Sequence, residues 1–143
     1  MHMRRIASAV AATAIAAGGM VASTGTAEAA RISCYASSCN HLNPYKTTCT
    51  GDAIRPVPGA KDSDGSVVYL YYSPSCRATW AETWNAPYKT RIVVYRDGGS
   101  LYSEDWATYG AHTWTGMIND AGYKSFAVIC PPDGLGCAQT SSY

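Results

Sequence analysis

Six cysteines, Cys34, Cys39, Cys49, Cys76, Cys130 and Cys137, set the first limit on what this chain can fold into. An even number of cysteines in an exported chain reads as three disulfides, and such bonds stabilise small domains whose cores are limited. Cys130 and Cys137 flank Pro131-Pro132-Asp133-Gly134-Leu135-Gly136, a loop able to turn back on itself, so these two are expected to pair. The other four are expected to tie the N-terminal segment to Cys76. A metal site of Cys34, Cys39, His41 and Cys49 has the wrong ligand spacing for common zinc centres, and an oxidising compartment disfavours it.

Export is read from the first residues. Arg4 and Arg5 precede an uncharged apolar stretch from Ile6 to Ala22, and Ala27-Glu28-Ala29 supplies the small residues of a cleavage site. Residues 1–29 are therefore expected to be a signal peptide. Residues 30–143 are then expected to be a secreted, disulfide-bonded β domain, with no membrane attachment after cleavage. Of eleven basic and ten acidic residues, removal of Arg4, Arg5 and Glu28 leaves the two signs balanced. A nucleic-acid binder would need a basic stripe, and none is present.

The strands follow from β-branched and aromatic runs separated by turn residues. Arg31 to Thr50 shows no apolar period and reads as irregular, and Asp52 to Asp64 as loop. Asp62-Ser63-Asp64-Gly65 is a turn; the acidic ligand that a calcium loop needs further along is missing. Val67–Tyr72 is the first strand. Cys76–Trp84 is the second, with Cys76, Trp80 and Trp84 on one side. Tyr88–Tyr95 is the third, and Asp97-Gly98-Gly99 turns it back into Ser100–Glu104. A short strand is expected at Thr113–Ile118, a last one at Tyr123–Cys130, and a loose tail from Ala138 to Tyr143. The fold class is all-β: a small disulfide-stabilised antiparallel barrel or sandwich with an irregular cysteine-rich N-terminal segment.

Three stretches carry a resemblance: the cluster Cys34, Cys39, Cys49 with Asn43-Pro44 inside it; Tyr72-Ser73-Pro74-Ser75-Cys76-Arg77-Ala78-Thr79-Trp80-Ala81; and Thr115-Gly116-Met117-Ile118 followed by Phe126-Ala127-Val128-Ile129-Cys130. Together they resemble the YjfA-like family of exported bacterial proteins, a domain of unknown function. The resemblance implies secretion and disulfide bonding and supplies no activity.

No catalytic residue and no cofactor is assigned from the sequence. His112 with Glu104 or Asp105 could be drawn as a base and its orienting acid, but no Gly-x-Ser-x-Gly elbow accompanies it. Glu82, Asp97, Glu104 and Asp105 are the carboxylates a sugar hydrolase would use, and Glu104-Asp105 beside Trp106 is the best local set. The real excess is aromatic: four Trp, eleven Tyr and one Phe. Trp80 is expected to pack on the disulfide of Cys76. Tyr95, Tyr102, Trp106, Tyr109 and Trp114 are the expected binding residues, because exposed Tyr and Trp give large contact areas with one polar edge. The leading expectation is a secreted, non-enzymatic binding domain whose partner is an extracellular protein or a cell-wall glycan. The alternatives are an adaptor in a secreted toxin or antagonism assembly, a protease inhibitor presenting Pro131–Gly136, or a small hydrolase.

Overall fold

The computed structural model describes residues 31–143. The expected signal peptide, residues 1–29, lies outside these residues. Two antiparallel sheets pack face to face. The first joins β1 (Ala60–Lys61), β2 (Val67–Ser73), β3 (Ala78–Trp84) and β6 (His112–Trp114) in that order, with β7 (Ile118–Asn119) also paired to β3. The second runs β5 (Tyr102–Trp106), β4 (Arg91–Arg96), β8 (Ser125–Cys130), β9 (Ala138–Gln139). Of the two architectures expected, the chain adopts the sandwich.

Strand alternation places the core. Successive side chains on a strand point to opposite faces. Val68 and Leu70 therefore share one face of β2 with their β3 partners Thr83 and Ala81. Val68, Leu70 and Ala81 pack fully buried against Ile92 and Val94 of β4, Ile118 of β7, and Ala127 and Ile129 of β8. Both sheets thus contribute to one core, the arrangement that a sandwich requires.

A second cluster lies on the opposite, outer face of the first sheet. Ala78 and Trp80 point there and pack with Cys39, Cys49, Cys76 and Met117, all nearly inaccessible to solvent. The cover is the irregular N-terminal segment, folded as three 3-10 turns, Ala36–Cys39, Pro44–Lys46 and Thr48–Gly51. It is held by disulfides Cys34–Cys39 and Cys49–Cys76. The third disulfide is Cys130–Cys137, as expected. Cys49–Cys76 ties the cover to the first sheet, whereas Cys34–Cys39 closes a local loop within the cover rather than reaching Cys76. Trp80 packs on the Cys49–Cys76 region as expected, fully buried.

Several strand limits differ from expectation for local reasons. The strand expected at Tyr88–Tyr95 begins only at Arg91: the Thr90 amide donates to the Pro87 carbonyl in a turn, and Lys89 takes a left-handed φ of 68°. Its hairpin partner shifts from Ser100–Glu104 to Tyr102–Trp106. The strand expected over Thr113–Ile118 splits into β6 and β7. Between them the cover intervenes: the His41 amide donates to the Met117 carbonyl and the Met117 amide to the Leu42 carbonyl. Gly116 fits that crossing because a Cβ there would come within 3.0 Å of the His41 Cα and 2.9 Å of the Ser103 Oγ. Within the Asp52–Asp64 loop, Ala60–Lys61 is recruited as β1. The tail is not loose. β9 pairs with β8, Thr140 is buried, and the Tyr143 amide and carbonyl both bond Ser125.

Candidate functional site

The outer face of the first sheet carries Tyr69 and Tyr71 from β2, Trp80, Glu82 and Trp84 from β3, and His112 and Trp114 from β6. The register places Tyr71 opposite Trp80, Tyr69 opposite Glu82, Glu82 opposite Trp114, and Trp84 opposite His112. A carboxylate flanked by two indoles at spacing two is thereby set among aromatic rings.

Glu82 is almost completely buried. A buried charge is tolerated only when it is fully hydrogen-bonded. Three donors meet it: the Tyr45 hydroxyl at 2.8 Å and the Trp80 indole N–H at 2.5 Å on Oε1, and His112 Nε2 at 2.6 Å on Oε2. A carboxylate only accepts, so the network assigns the proton to Nε2 of His112. Tyr45 comes from the cover. Asn43 caps its 3-10 turn, and the Asn43 Oδ1 accepts from the Tyr45 amide at 2.9 Å and from the Trp114 indole at 3.0 Å. Burial, followed by the bond to Glu82, pushes the Tyr45 phenol well above its ordinary range, so it stays protonated and donating.

The ring system continues outward. Trp84 stacks on His112 with centroids 4.4 Å apart and planes 6° from parallel, and Tyr45 meets Trp114 edge-on at 4.7 Å. Arg55, from the loop that follows the cover, lies over Tyr69 at 4.1 Å, Tyr71 at 4.9 Å and Trp84 at 5.1 Å. Its Nε donates to the Tyr71 hydroxyl at 2.6 Å. Burial raises the Tyr71 phenol pKa, and Arg55 partly offsets that. Two depressions border this system. One of about 470 Å³ is lined by Asp64, Tyr69, Trp84, Asn85 and Pro87. The other, about 160 Å³, is lined by Asp105, Trp106, Thr108, His112 and Trp114.

The five aromatics singled out in the sequence divide among three places. Trp106 and Trp114 line the smaller depression together. Tyr109, the most exposed of the five, stacks on Tyr88 at 5.2 Å in the adjoining loops. Tyr95 and Tyr102 lie on the second sheet, where Tyr95 stacks on Phe126 and faces Tyr102 at 5.7 Å. Tyr102 also borders a depression of about 490 Å³ with His41 and Glu104. The acid that meets His112 is Glu82, not Glu104 or Asp105. Glu104 is ion-paired with Arg91, whose Nε lies 2.8 Å away, and Asp105 accepts from the adjacent Trp106 amide.

Sequence reasoning missed Tyr45, Arg55, Tyr69, Trp84 and the role of Glu82. Trp80-x-Glu82-x-Trp84 was a usable signal, since alternation alone puts the acid between the indoles. Tyr45 and Arg55 arrive through a segment without period, and nothing local marks them.

A family model described as a protein of unknown function (DUF2690) matches residues 37–128. No curated protein and no solved structure matches the chain.

Proposed function

The chain belongs to the DUF2690 family, whose function is unknown, and from its own geometry we propose that it is a secreted, non-enzymatic binding module that takes a cell-wall glycan on the aromatic face of its first sheet. The observation that carries this reading is the Trp84–His112 stack, bordered by a depression on each side and held from beneath by Glu82. Sugar-binding surfaces need a rigid ring to cover the apolar face of a pyranose and fixed polar groups for its hydroxyls. Trp106, 48% exposed, offers such a ring, and Trp84, stacked on His112 through one face, is 36% exposed and offers its remaining surface. Asp64, Asp105 and His112 supply the polar edge.

Catalysis is the weaker reading of the same residues. Both Glu82 oxygens already accept hydrogen bonds and the carboxylate is shielded from solvent, so it holds His112 in place rather than moving protons. Secretion is supported by the three disulfides and the signal-like N-terminus; among the described residues no helix is long and apolar enough to cross a membrane. The resemblance of the sequence to YjfA-like exported proteins agrees with the same reading.

Sedimentation with insoluble peptidoglycan or chitin tests the proposal. The wild type is expected in the pellet, and Trp84→Ala and Trp106→Ala in the supernatant with an unchanged circular dichroism spectrum. A wild type that stays in solution, or variants retained as well as it is, would overturn the assignment. One observation favours a second reading: Leu135 stands 71% exposed on the disulfide-closed loop, which Ser63 anchors by bonds to the Leu135 and Gly136 carbonyls. A preorganised loop of this kind suits a protease inhibitor, and inhibition of exported serine proteases that Leu135→Asp abolishes would support it.

A further inference from the structure

We infer, on the basis of that glycan reading, that the ligand is anionic and that Arg55 receives its carboxylate, so that the module selects acidic sugars over neutral ones. Arg55 is exposed, yet its guanidinium is held against three rings and by the Tyr71 hydroxyl. An arginine side chain ordinarily loses much of its rotamer freedom when it is fixed. Here the fold has already fixed it, and a preorganised donor binds with less loss.

The same guanidinium lacks a charge partner. Among the described residues the ion pairs are Arg91–Glu104 and His112–Glu82, and the one hydrogen bond of Arg55 uses Nε. Its two terminal nitrogens are thus available as a planar pair of donors, the geometry that matches a carboxylate in two parallel bonds. Glu82, on this face, is committed to Tyr45, Trp80 and His112. Asp64 lines the larger depression without pairing to Arg55 and is placed to accept from sugar hydroxyls. Tyr69 and Trp84 belong both to that depression and to the rings under Arg55. A sugar seated in that depression, against Tyr69 and the open edge of Trp84, therefore lies beside the guanidinium. One cation at the site suits one negative charge per sugar unit, as a uronic acid carries.

Isothermal titration calorimetry at low salt tests this with four probes: a galacturonic acid tetramer, the same tetramer with its carboxyls methyl-esterified, chitotetraose, and a glycerol-phosphate oligomer. The acid tetramer is expected to bind about tenfold more tightly than its ester, with an affinity that falls as salt rises. Arg55→Gln is expected to bring the acid down to the affinity of the ester and to leave the ester unchanged. Arg55→Lys, which keeps the charge and loses the planar fork, is expected to recover only part of the difference. Equal binding of acid and ester by the wild type, or an Arg55→Gln variant that still separates them, would overturn the inference and leave glycan binding standing. Tighter binding of the glycerol-phosphate oligomer would overturn the carboxylate assignment. Failure of all four probes to bind would overturn the glycan reading itself, and this inference with it.

Discussion

Each sheet of the sandwich has an outer face rich in aromatic rings, and the two faces are organised differently. On the first sheet a disulfide-held segment and the loop that follows it lie across the strands and deliver Tyr45, Asn43 and Arg55 to the rings. A buried carboxylate results, with three donors around it. On the second sheet Tyr95, Tyr102 and Phe126 pack against one another, and the cover reaches this sheet at its margin, where His41 borders a depression with Tyr102. Its charged pair, Arg91 and Glu104, sits partly in solvent. Rings alone give a sticky surface. A second layer of chain fixes polar atoms among them and turns the surface into a site.

The most disruptive way to break this contrast is to free the cover. Cys76→Ser opens a bond that spans 27 residues, whose loss costs about 3.5 kcal/mol by loop entropy. The bond of the second sheet, Cys130–Cys137, spans 7 residues and should cost nearer 2.4 kcal/mol on the same account. Urea denaturation of Cys76→Ser and of the Cys130→Ser, Cys137→Ser double variant is expected to rank them in that order. A Cys76→Ser protein secreted at normal yield and stability would show that the cover is not needed.

A comparable contrast separates the two acids. Glu82→Ala leaves the buried Trp80 indole N–H without its acceptor and the partly exposed Tyr45 and His112 without theirs, an expected loss of roughly 2–3 kcal/mol. Arg91→Ala removes a half-exposed pair and should cost below about 1 kcal/mol. Similar losses, read as shifts in thermal midpoint, would erase the distinction between the faces.

An effect that depends on pH lies where the sheets meet. Asp120 follows β7 and accepts from Ser125 of β8 at 2.6 Å. Burial raises its pKa from 3.8 to about 6, against the pull of Ser125 and Arg77. A raised acid is more easily protonated in the folded chain than in the unfolded one. Its contribution is therefore full below the ordinary carboxylate range, declines as pH climbs to about 6, and is level above that. Asp120→Asn should flatten this slope, which amounts to at most about 3 kcal/mol. Parallel stability profiles for the two proteins across that interval would contradict the assignment.

How far the sequence could be read depended on whether a residue's placement was local. The β-branched and aromatic strand at Val67–Tyr72, the Asp97-Gly98-Gly99 turn, the Cys130–Cys137 bond and the packing of Trp80 are all short-range or dictated by burial, and each was legible. The five chosen aromatics were picked for exposure, yet exposure does not tell one sheet from the other, and so they fall in separate places. The partner of His112 was misread because Glu104 and Asp105 are near it in sequence whereas Glu82 is its neighbour across a strand pair. Arg55 and Tyr45 were illegible for a related reason. Tyr45 is placed by the disulfide-held cover and the Asn43 cap, and Arg55 by the bridge that the preceding Ile54 makes with Tyr72, not by any periodicity of their own.

The strands at the sheet margins have one further consequence, for self-association. β1 and β9 are two residues long and β6 is three, so three of the four margins offer hardly any free amides and carbonyls to a neighbouring copy. The fourth, β5, is five residues long and carries Glu104 and Asp105. Short or charged borders of this kind block edge-to-edge pairing and the fibres that grow from it. At high concentration this molecule meets its neighbours through side chains and not through its backbone.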